Sequence, residues 1–106
     1  MKAFFDTEPS AYEASGNELR IRWDIKEVPA PSMDDEPRTQ WSAEEAVCNV
    51  FDNRAALISG IIRSKYSVDA EFAAINNQST KPEEYAEYQS FRVQAKLLAD
   101  GWMLQE

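Results

Sequence analysis

The stretch Leu19-Arg20-Ile21-Arg22-Trp23-Asp24-Ile25-Lys26 decides the fold of the N-terminal half, because apolar and charged residues alternate along it without a break. A period of two puts the apolar side chains on one face of a β-strand and the charged ones on the other. Upstream, Ser15-Gly16-Asn17 is a turn signal, since glycine and asparagine tolerate positive φ. We therefore expect Ala11 to Ala14 to be the first arm of a hairpin, and Ala3-Phe4-Phe5 to add a short strand.

Prolines and acidic residues follow this strand. Residues 29–37 contain Pro29, Pro31, Pro37 and the run Asp34-Asp35-Glu36. Proline has no N–H for a β-ladder, so strand pairing should stop at Val28-Pro29-Ala30-Pro31. The segment 29–37 is expected to be a solvated acidic connector, and a connector of this length is often functional or disordered.

Residues 38–51 carry two conflicting signals. Ser42-Ala43-Glu44-Glu45 matches a capping box, which indicates the start of a helix. Val47, Cys48, Val50 and Phe51 favour a strand instead. The prediction is a strand over part of this segment, returning to pair with the hairpin.

A first helix is expected over about residues 53–65, with Asp52 as its N-cap. Leu57, Ile58, Ile61 and Ile62 fall on one stripe of that helix. Gly60 lies inside it and weakens it by about 1 kcal/mol relative to alanine. A close approach of this helix to the sheet or to another helix is the simplest reason for a glycine there.

Two further helices should follow. Ser67 is expected to cap the second helix, with Asp69 and Glu71 near its positive end, Phe72 and Ile75 pointing inward, and Asn76-Asn77 ending it.

The third helix should run over about residues 81–99. Thr80-Lys81-Pro82-Glu83 reads as its capping box, with Thr80 as the N-cap and proline in the first turn. Its apolar stripe comprises Tyr88, Phe91, Ala95, Leu98 and Trp102. Asp100-Gly101 is expected to stop the helix, since glycine readily takes the left-handed position there.

These elements predict an α+β fold, in which a small antiparallel N-terminal sheet packs against two or three C-terminal helices. The 106 residues are expected to form one domain. Residues 1–51 would be mainly β with the acidic connector 29–37, and residues 52–106 would be helical.

The composition removes most catalytic and metal-binding mechanisms. The chain has no histidine and one cysteine, whereas zinc sites need several such ligands. Cys48 has no histidine to activate it, so a structural role is expected. Asp34-Asp35-Glu36 lacks the alternating ligands and the glycine of a calcium-binding loop. We therefore expect no enzyme activity, no metal and no cofactor.

Charge and hydropathy limit the classes of partner that the chain is expected to bind. The net charge is −8, and residues 1–52 carry 12 acids against 5 bases, whereas residues 53–106 carry 7 against 6. No cluster of lysine and arginine is present to neutralise phosphates, so direct nucleic-acid binding is not expected. No apolar run is long enough for a membrane span. An acid at Asp6 argues against a signal peptide, and the single cysteine fits a reducing cytoplasm.

Several stretches resemble small phage and prophage proteins from tail-gene regions. They are residues 61–71 (IIRSKYSVDAE), residues 81–88 (KPEEYAEY), and Arg22-Trp23-Asp24-Ile25 together with Arg38-Thr39-Gln40-Trp41. The resemblance implies a virion tail component or a tail-assembly factor, found in the host cytoplasm during assembly or in the virion. Its partners would be other tail subunits or the chain itself. The resemblance does not identify any catalytic or binding residue in this chain.

Candidate partner-binding residues are few. Trp102, beside the expected helix stop, is a candidate interface anchor, because aromatic side chains left outside a core often serve this role. An exposed sheet edge and Asp34, Asp35 and Glu36 of the connector are further candidates. The alternative function is an acidic phage inhibitor that occupies the nucleic-acid-binding groove of a host defence protein, prompted by the acidity of residues 1–52.

Overall fold

The computed structural model of the chain describes residues 2–31 and 37–105. An antiparallel sheet fills the N-terminal half of this part, and helices fill the C-terminal half, so the predicted α+β class is confirmed. The elements in chain order are β1 (Lys2–Phe5), β2 (Tyr12–Ser15), β3 (Glu18–Pro29), β4 (Thr39–Asn49), α1 (Arg54–Arg63), α2 (Val68–Asn76) and α3 (Pro82–Met103).

The strand order across the sheet is β1-β4-β3-β2. The predicted hairpin is confirmed: β2 pairs with β3 across a turn at Gly16, whose φ is +61°. The strand expected within residues 38–51 is also confirmed as β4. The capping box at Ser42 does not start a helix, because this part of β4 is hydrogen-bonded between β1 and β3.

A bulge interrupts the alternation in β3. Trp23 pairs with Glu44 but Lys26 pairs with Ser42, so β3 carries one extra residue between them. Asp24 lies in this bulge with a φ of 54°, the one positive φ at a non-glycine residue in the described segments. The regular alternation expected through Lys26 is therefore wrong beyond Trp23.

Strand β3 ends at Pro29, within the stretch where the prolines predicted a stop. Pro29 pairs with Thr39, and the Ala30 N–H donates to the Arg38 carbonyl at 2.9 Å. Because neighbouring residues of a strand direct their N–H groups to opposite sides, Pro29 faces away from β4, where no N–H is required. The predicted stop of strand pairing within Val28-Pro29-Ala30-Pro31 is confirmed.

The core lies between the sheet and helices α1 and α3. Leu19 and Ile21 of β3 are fully buried against Leu57 and Ile61 of α1 and the α3 residues around Phe91. A Cβ added at Gly60 would lie 2.9 Å from the Cys48 sulfur, so the predicted close approach of this helix to the sheet is confirmed.

Helix α1 begins one residue later than predicted. Asn53 is its N-cap and accepts a hydrogen bond from the Ala56 N–H at 2.9 Å. The Asp52 carboxylate accepts instead from the Asn49 N–H at 3.0 Å, within the preceding turn. The helix ends at Arg63, short of the expected Lys65.

Helix α2 follows the prediction at both ends but not in its packing. Ser67 caps it by accepting from the Ala70 N–H, and its last residue is Asn76. Phe72 and Ile75, expected to point inward, are 60% and 37% exposed. That expectation is wrong, because the side of α2 nearest the rest of the molecule is the one between Glu71 and Ala74, the two least exposed residues of the helix.

Helix α3 begins and ends later than predicted. Its N-cap is Lys81 without a side-chain cap, and Thr80 donates its hydroxyl to the Asn77 carbonyl. A residue before proline avoids helical geometry, so Pro82 makes Lys81 the last non-helical residue. At the other end, the helix passes through Gly101 and ends at Met103, so the predicted stop at Asp100-Gly101 is wrong.

The molecule is flat and elongated. Its extents are 50 × 37 × 19 Å, and its radius of gyration is 16.2 Å. A compact chain of this length would have a radius of gyration of about 13 Å. The smallest extent fits one sheet covered by one layer of helices, so much of the chain lies near the surface.

Candidate functional site: exposed apolar faces and a polar cleft

The structure places Trp102 in the last turn of α3. It is half-buried, packs against the core and lies 5.9 Å from the Tyr12 ring, centroid to centroid. Asp34, Asp35 and Glu36 lie outside the described residues. The candidate residues chosen from the sequence are therefore not brought together by any described contact.

Helix α2 presents an apolar face to solvent. Val68, Phe72 and Ile75 recur at i, i+4 and i+7 and are 49%, 60% and 37% exposed. No residue of α2 is fully buried. We call these three side chains the α2 apolar face. Sequence reasoning detected part of this stripe but assigned it to the core, because periodicity does not tell what covers a stripe.

Polar contacts fix α2 against the rest of the molecule. The Glu71 carboxylate accepts hydrogen bonds from the Tyr88 hydroxyl and, at 2.7 Å, from Arg63. These two donors hold the pKa of Glu71 below its usual range. Burial, followed by the contact with Glu71, raises the pKa of Tyr88 to about 12. The α2 apolar face thus lies on a helix tied to both α1 and α3.

Helix α3 also exposes apolar residues on its outer side. Val93 and Leu97 are 56% and 67% exposed and lie roughly opposite Tyr88 and Phe91 around the helix, and Leu104, just past its end, is 85% exposed. Two helices therefore expose apolar residues on the helical side of the molecule.

The face of the sheet away from the helices carries an ion-pair network. Arg22 and Glu45 are 5% and 3% exposed and meet at 2.8 Å. Arg22 also pairs with Glu13, and Arg20 pairs with both Glu45 and Glu18. The Phe5 ring lies 4.7 Å from the Arg22 guanidinium. Three acids of the N-terminal half are thereby engaged by two arginines.

One open stretch of the sheet's edge carries features that discourage strand addition. Beyond the end of β2, the outer side of β3 holds the bulge at Asp24, the exposed charges of Lys26 and Glu27, and Pro29. Bulges, charges and prolines are the devices by which natural sheets prevent edge-to-edge association. This edge is therefore a weaker candidate surface than the helical side.

A cleft of about 600 Å³ opens where the bulge of β3 meets the C-terminal end of α1 and the middle of α3. Its aromatic lining is Trp23 and Phe91, whose ring centroids are 5.8 Å apart. Its polar lining comes from Asp24, Glu44, Ser64, Lys65 and Gln94. The Lys65 ammonium lies 4.9 Å from the Phe91 ring centroid. The cleft thus combines aromatic walls with two carboxylates and one ammonium.

Cys48 is half-buried beneath α1. Burial, followed by the nearby Asp52 carboxylate, raises the pKa of its thiol, so little thiolate forms near neutral pH. Over residues 2–31 and 37–105, no group of three or more metal-ligating side chains comes together. In the same residues, no helix has the length and hydropathy to span a membrane.

No protein-family model matches the chain, and neither the curated proteins nor the solved structures contain a match.

Proposed function

We propose that this chain is a non-enzymatic, phage tail-associated structural or assembly protein that acts through protein–protein contacts. The α2 apolar face carries the proposal. Three apolar side chains at helical spacing, on a helix with no fully buried residue, form the kind of stripe that docks into a groove of another protein. Covering them would gain about 25 cal/mol for each Å² of apolar surface removed from water.

The rigid attachment of α2 supports the same proposal. A helix already capped by Ser67 and held through Glu71 loses little conformational freedom when a partner covers it. Prior ordering of this kind lowers the entropic cost of association. The stretches that resemble tail-region proteins, residues 61–71 and 81–88, contain Ser67, Glu71 and Tyr88.

The partner would be another tail subunit or a second copy of the chain. The exposed residues Val93 and Leu97 of α3, with Leu104 just past its end, offer a further contact surface on the helical side. Two such surfaces on one small protein suit an assembly in which each subunit touches more than one neighbour.

The acidic-inhibitor alternative draws less support from the described residues. A mimic of nucleic acid needs carboxylates available on its surface, whereas Glu45 is buried and Glu13 and Glu18 are engaged by arginines. The acids of the connector, Asp34 to Glu36, lie outside the described residues.

The proposal is tested by fractionating a lysate in which tails are being assembled. Quantitative mass spectrometry of a sedimentation gradient would locate the chain among free subunits, assembly intermediates and finished tails. We expect the chain to co-sediment with intermediates or with tails. Its confinement to the slowest fractions at every stage of assembly would contradict the proposal.

A further inference from the structure

We propose that the outer edge of β1 receives an extended segment of the protein partner as an added antiparallel strand, in which a basic, an apolar and an acidic residue stand at every second position. The inference rests on the proposed function for the existence of a partner. Strand β1 is the first in the order β1-β4-β3-β2, and among the described residues no strand lies beyond it. Unlike the open stretch of β3, it holds neither a bulge nor a proline. Such an edge is open to main-chain pairing.

The hydrogen bonds at both ends of β4 show which way its main-chain groups point. Immediately before the strand, the Arg38 carbonyl accepts from the Ala30 N–H, and immediately after it, the Val50 N–H donates to the Asn17 carbonyl. Main-chain groups alternate between the two sides of a strand, so the even-numbered residues of β4 bond to β3. The odd-numbered residues of β4 therefore direct their groups towards β1.

The same alternation fixes the main-chain groups of β1. Ala3 and Phe5 pair with odd-numbered residues of β4, so they bond to that strand. Lys2 and Phe4 consequently direct their N–H and carbonyl groups away from the sheet. An added strand would meet these groups along the whole length of β1.

The side chains beside this edge are exposed and differ in charge along the strand. Phe5 lies against Arg22 on the face of the sheet away from the helices, so alternation puts Lys2, Phe4 and Asp6 on the other face. Phe4 is 56% exposed there, and Lys2 and Asp6 are exposed as well. The ion pairs of the described residues use other side chains.

These three side chains set the sequence of the added strand. Directly opposite residues of an antiparallel pair contact each other, and opposite charges or two apolar residues stabilise the pair, whereas like charges destabilise it. An antiparallel segment passes Asp6 first, then Phe4 and then Lys2. It should therefore carry arginine or lysine, an apolar residue two positions later, and aspartate or glutamate two positions after that. Like charges at the two ends would exclude segments of the opposite order.

A different protein fits this edge better than a second copy of the chain. A second copy carries the same order of residues in its own β1. However, residues 1–52 hold 12 acids against 5 bases, so pairing at β1 would bring two strongly acidic halves together. A partner without this excess of acids would not meet that repulsion.

The test is an NMR titration of the purified full chain with the capped peptide acetyl-Ser-Arg-Thr-Val-Thr-Glu-Ser-amide. Its valine would lie opposite Phe4 and exchange two main-chain hydrogen bonds with it, so we expect a saturable shift of the Phe4 amide. N-methylation of the valine should weaken binding about tenfold, because it removes one of these donors. N-methylation of the following threonine, whose N–H would point away from β1, is the matched control and should leave binding unchanged. No saturation, or equal effects of the two N-methyl groups, would overturn the proposal.

A charge-reversal variant separates this edge from general attraction to an acidic chain. In a second peptide, glutamate replaces the arginine. Wild type should bind the arginine peptide about three- to tenfold more tightly, whereas Asp6→Lys should prefer the glutamate peptide. The variant is still acidic overall, so general attraction alone would keep the preference for arginine. Asp69→Lys, on exposed α2, is the matched control and should behave as wild type.

Three results of these experiments would also overturn the proposal. They are an unchanged preference in Asp6→Lys, a reversed preference in Asp69→Lys, and an oligomer of the free chain that the arginine peptide dissociates. The last result would make a second copy the occupant of the edge. The titration uses the isolated chain, so its failure is distinguishable from a failure of the chain to co-sediment with tails.

Discussion

At the scale of single residues, the position of the Tyr12 side chain accounts for the glycine at position 101. The Tyr12 hydroxyl donates to the Leu98 carbonyl at 2.6 Å, and a Cβ at Gly101 would overlap that hydroxyl. Edge strand β2 is tied to α3 by this contact. This contact accounts for a glycine in the last turn of α3, although glycine lowers helix propensity.

We expect Gly101→Ala to lower the free energy of unfolding by about 1 kcal/mol, because overpacking outweighs the gain in helix propensity. In a Tyr12→Phe background the hydroxyl is gone, so the same substitution should become neutral or stabilising. Urea denaturation of the four proteins measures both effects. A stabilising Gly101→Ala in the wild-type background would show that Tyr12 moves aside freely.

The second prediction at this scale concerns the Arg22–Glu45 ion pair. Arg22→Met removes a close cationic partner from the buried Glu45 carboxylate, and we expect a loss of about 3 kcal/mol in unfolding free energy. The double variant Arg22→Met/Glu45→Leu should lose less than Arg22→Met alone. Exposed Arg38→Met is the control and should stay within about 0.5 kcal/mol. Equal stability of Arg22→Met and wild type would contradict the role of the pair.

At the scale of elements, Glu71 joins three helices. Its folded-state pKa is depressed, so its contribution to stability is complete above the ordinary pKa of 4.5 and is lost as pH falls through the folded value. Relative to Glu71→Gln, the wild type should be more stable by a constant amount at pH 5–7. That difference should shrink below about pH 4.5. Thermal unfolding across pH measures it, and a difference that does not change with pH would refute the linkage.

The helices and strands also show which structural features can be predicted from the sequence. The alternation of Leu19 to Trp23 predicted β3, and the turn at Gly16 predicted its hairpin partner, because both signals are local. The capping box at Ser42 was an equally local signal, yet it is overridden by the pairing of β4 with its neighbours. Local patterns identify elements well where no long-range contact competes with them.

The remaining incorrect predictions also arise where something outside the local pattern decides the structure. Thr80 had the right side chain for an N-cap, but the restriction that Pro82 places on Lys81 moved the cap by one residue. Gly101 looked like a helix stop, whereas it makes room for Tyr12, a residue 89 positions earlier in the sequence. The cleft at Asp24 was not predicted, because a bulge depends on the register of two strands.

At the scale of the whole molecule, the α2 apolar face should control self-association. We expect the purified protein to form an oligomer of fixed stoichiometry, and Phe72→Glu to shift it to monomer without lowering its melting temperature, since Phe72 is 60% exposed. Light scattering after size exclusion, over a concentration series, gives the native mass. Ser79→Glu, at another exposed position, is the control. A wild-type monomer at all concentrations, or an unchanged oligomer in Phe72→Glu, would contradict this prediction.

The central claim is that the chain serves tail assembly through the α2 apolar face, and genetic complementation tests it most directly. The gene would be removed from the phage or prophage that carries it, and tails would be counted by electron microscopy after supplying wild type, Phe72→Glu or Ser79→Glu. The account predicts few or no tails without the gene, restoration by wild type and Ser79→Glu, and no restoration by Phe72→Glu. Normal tail numbers in the absence of the gene would contradict it.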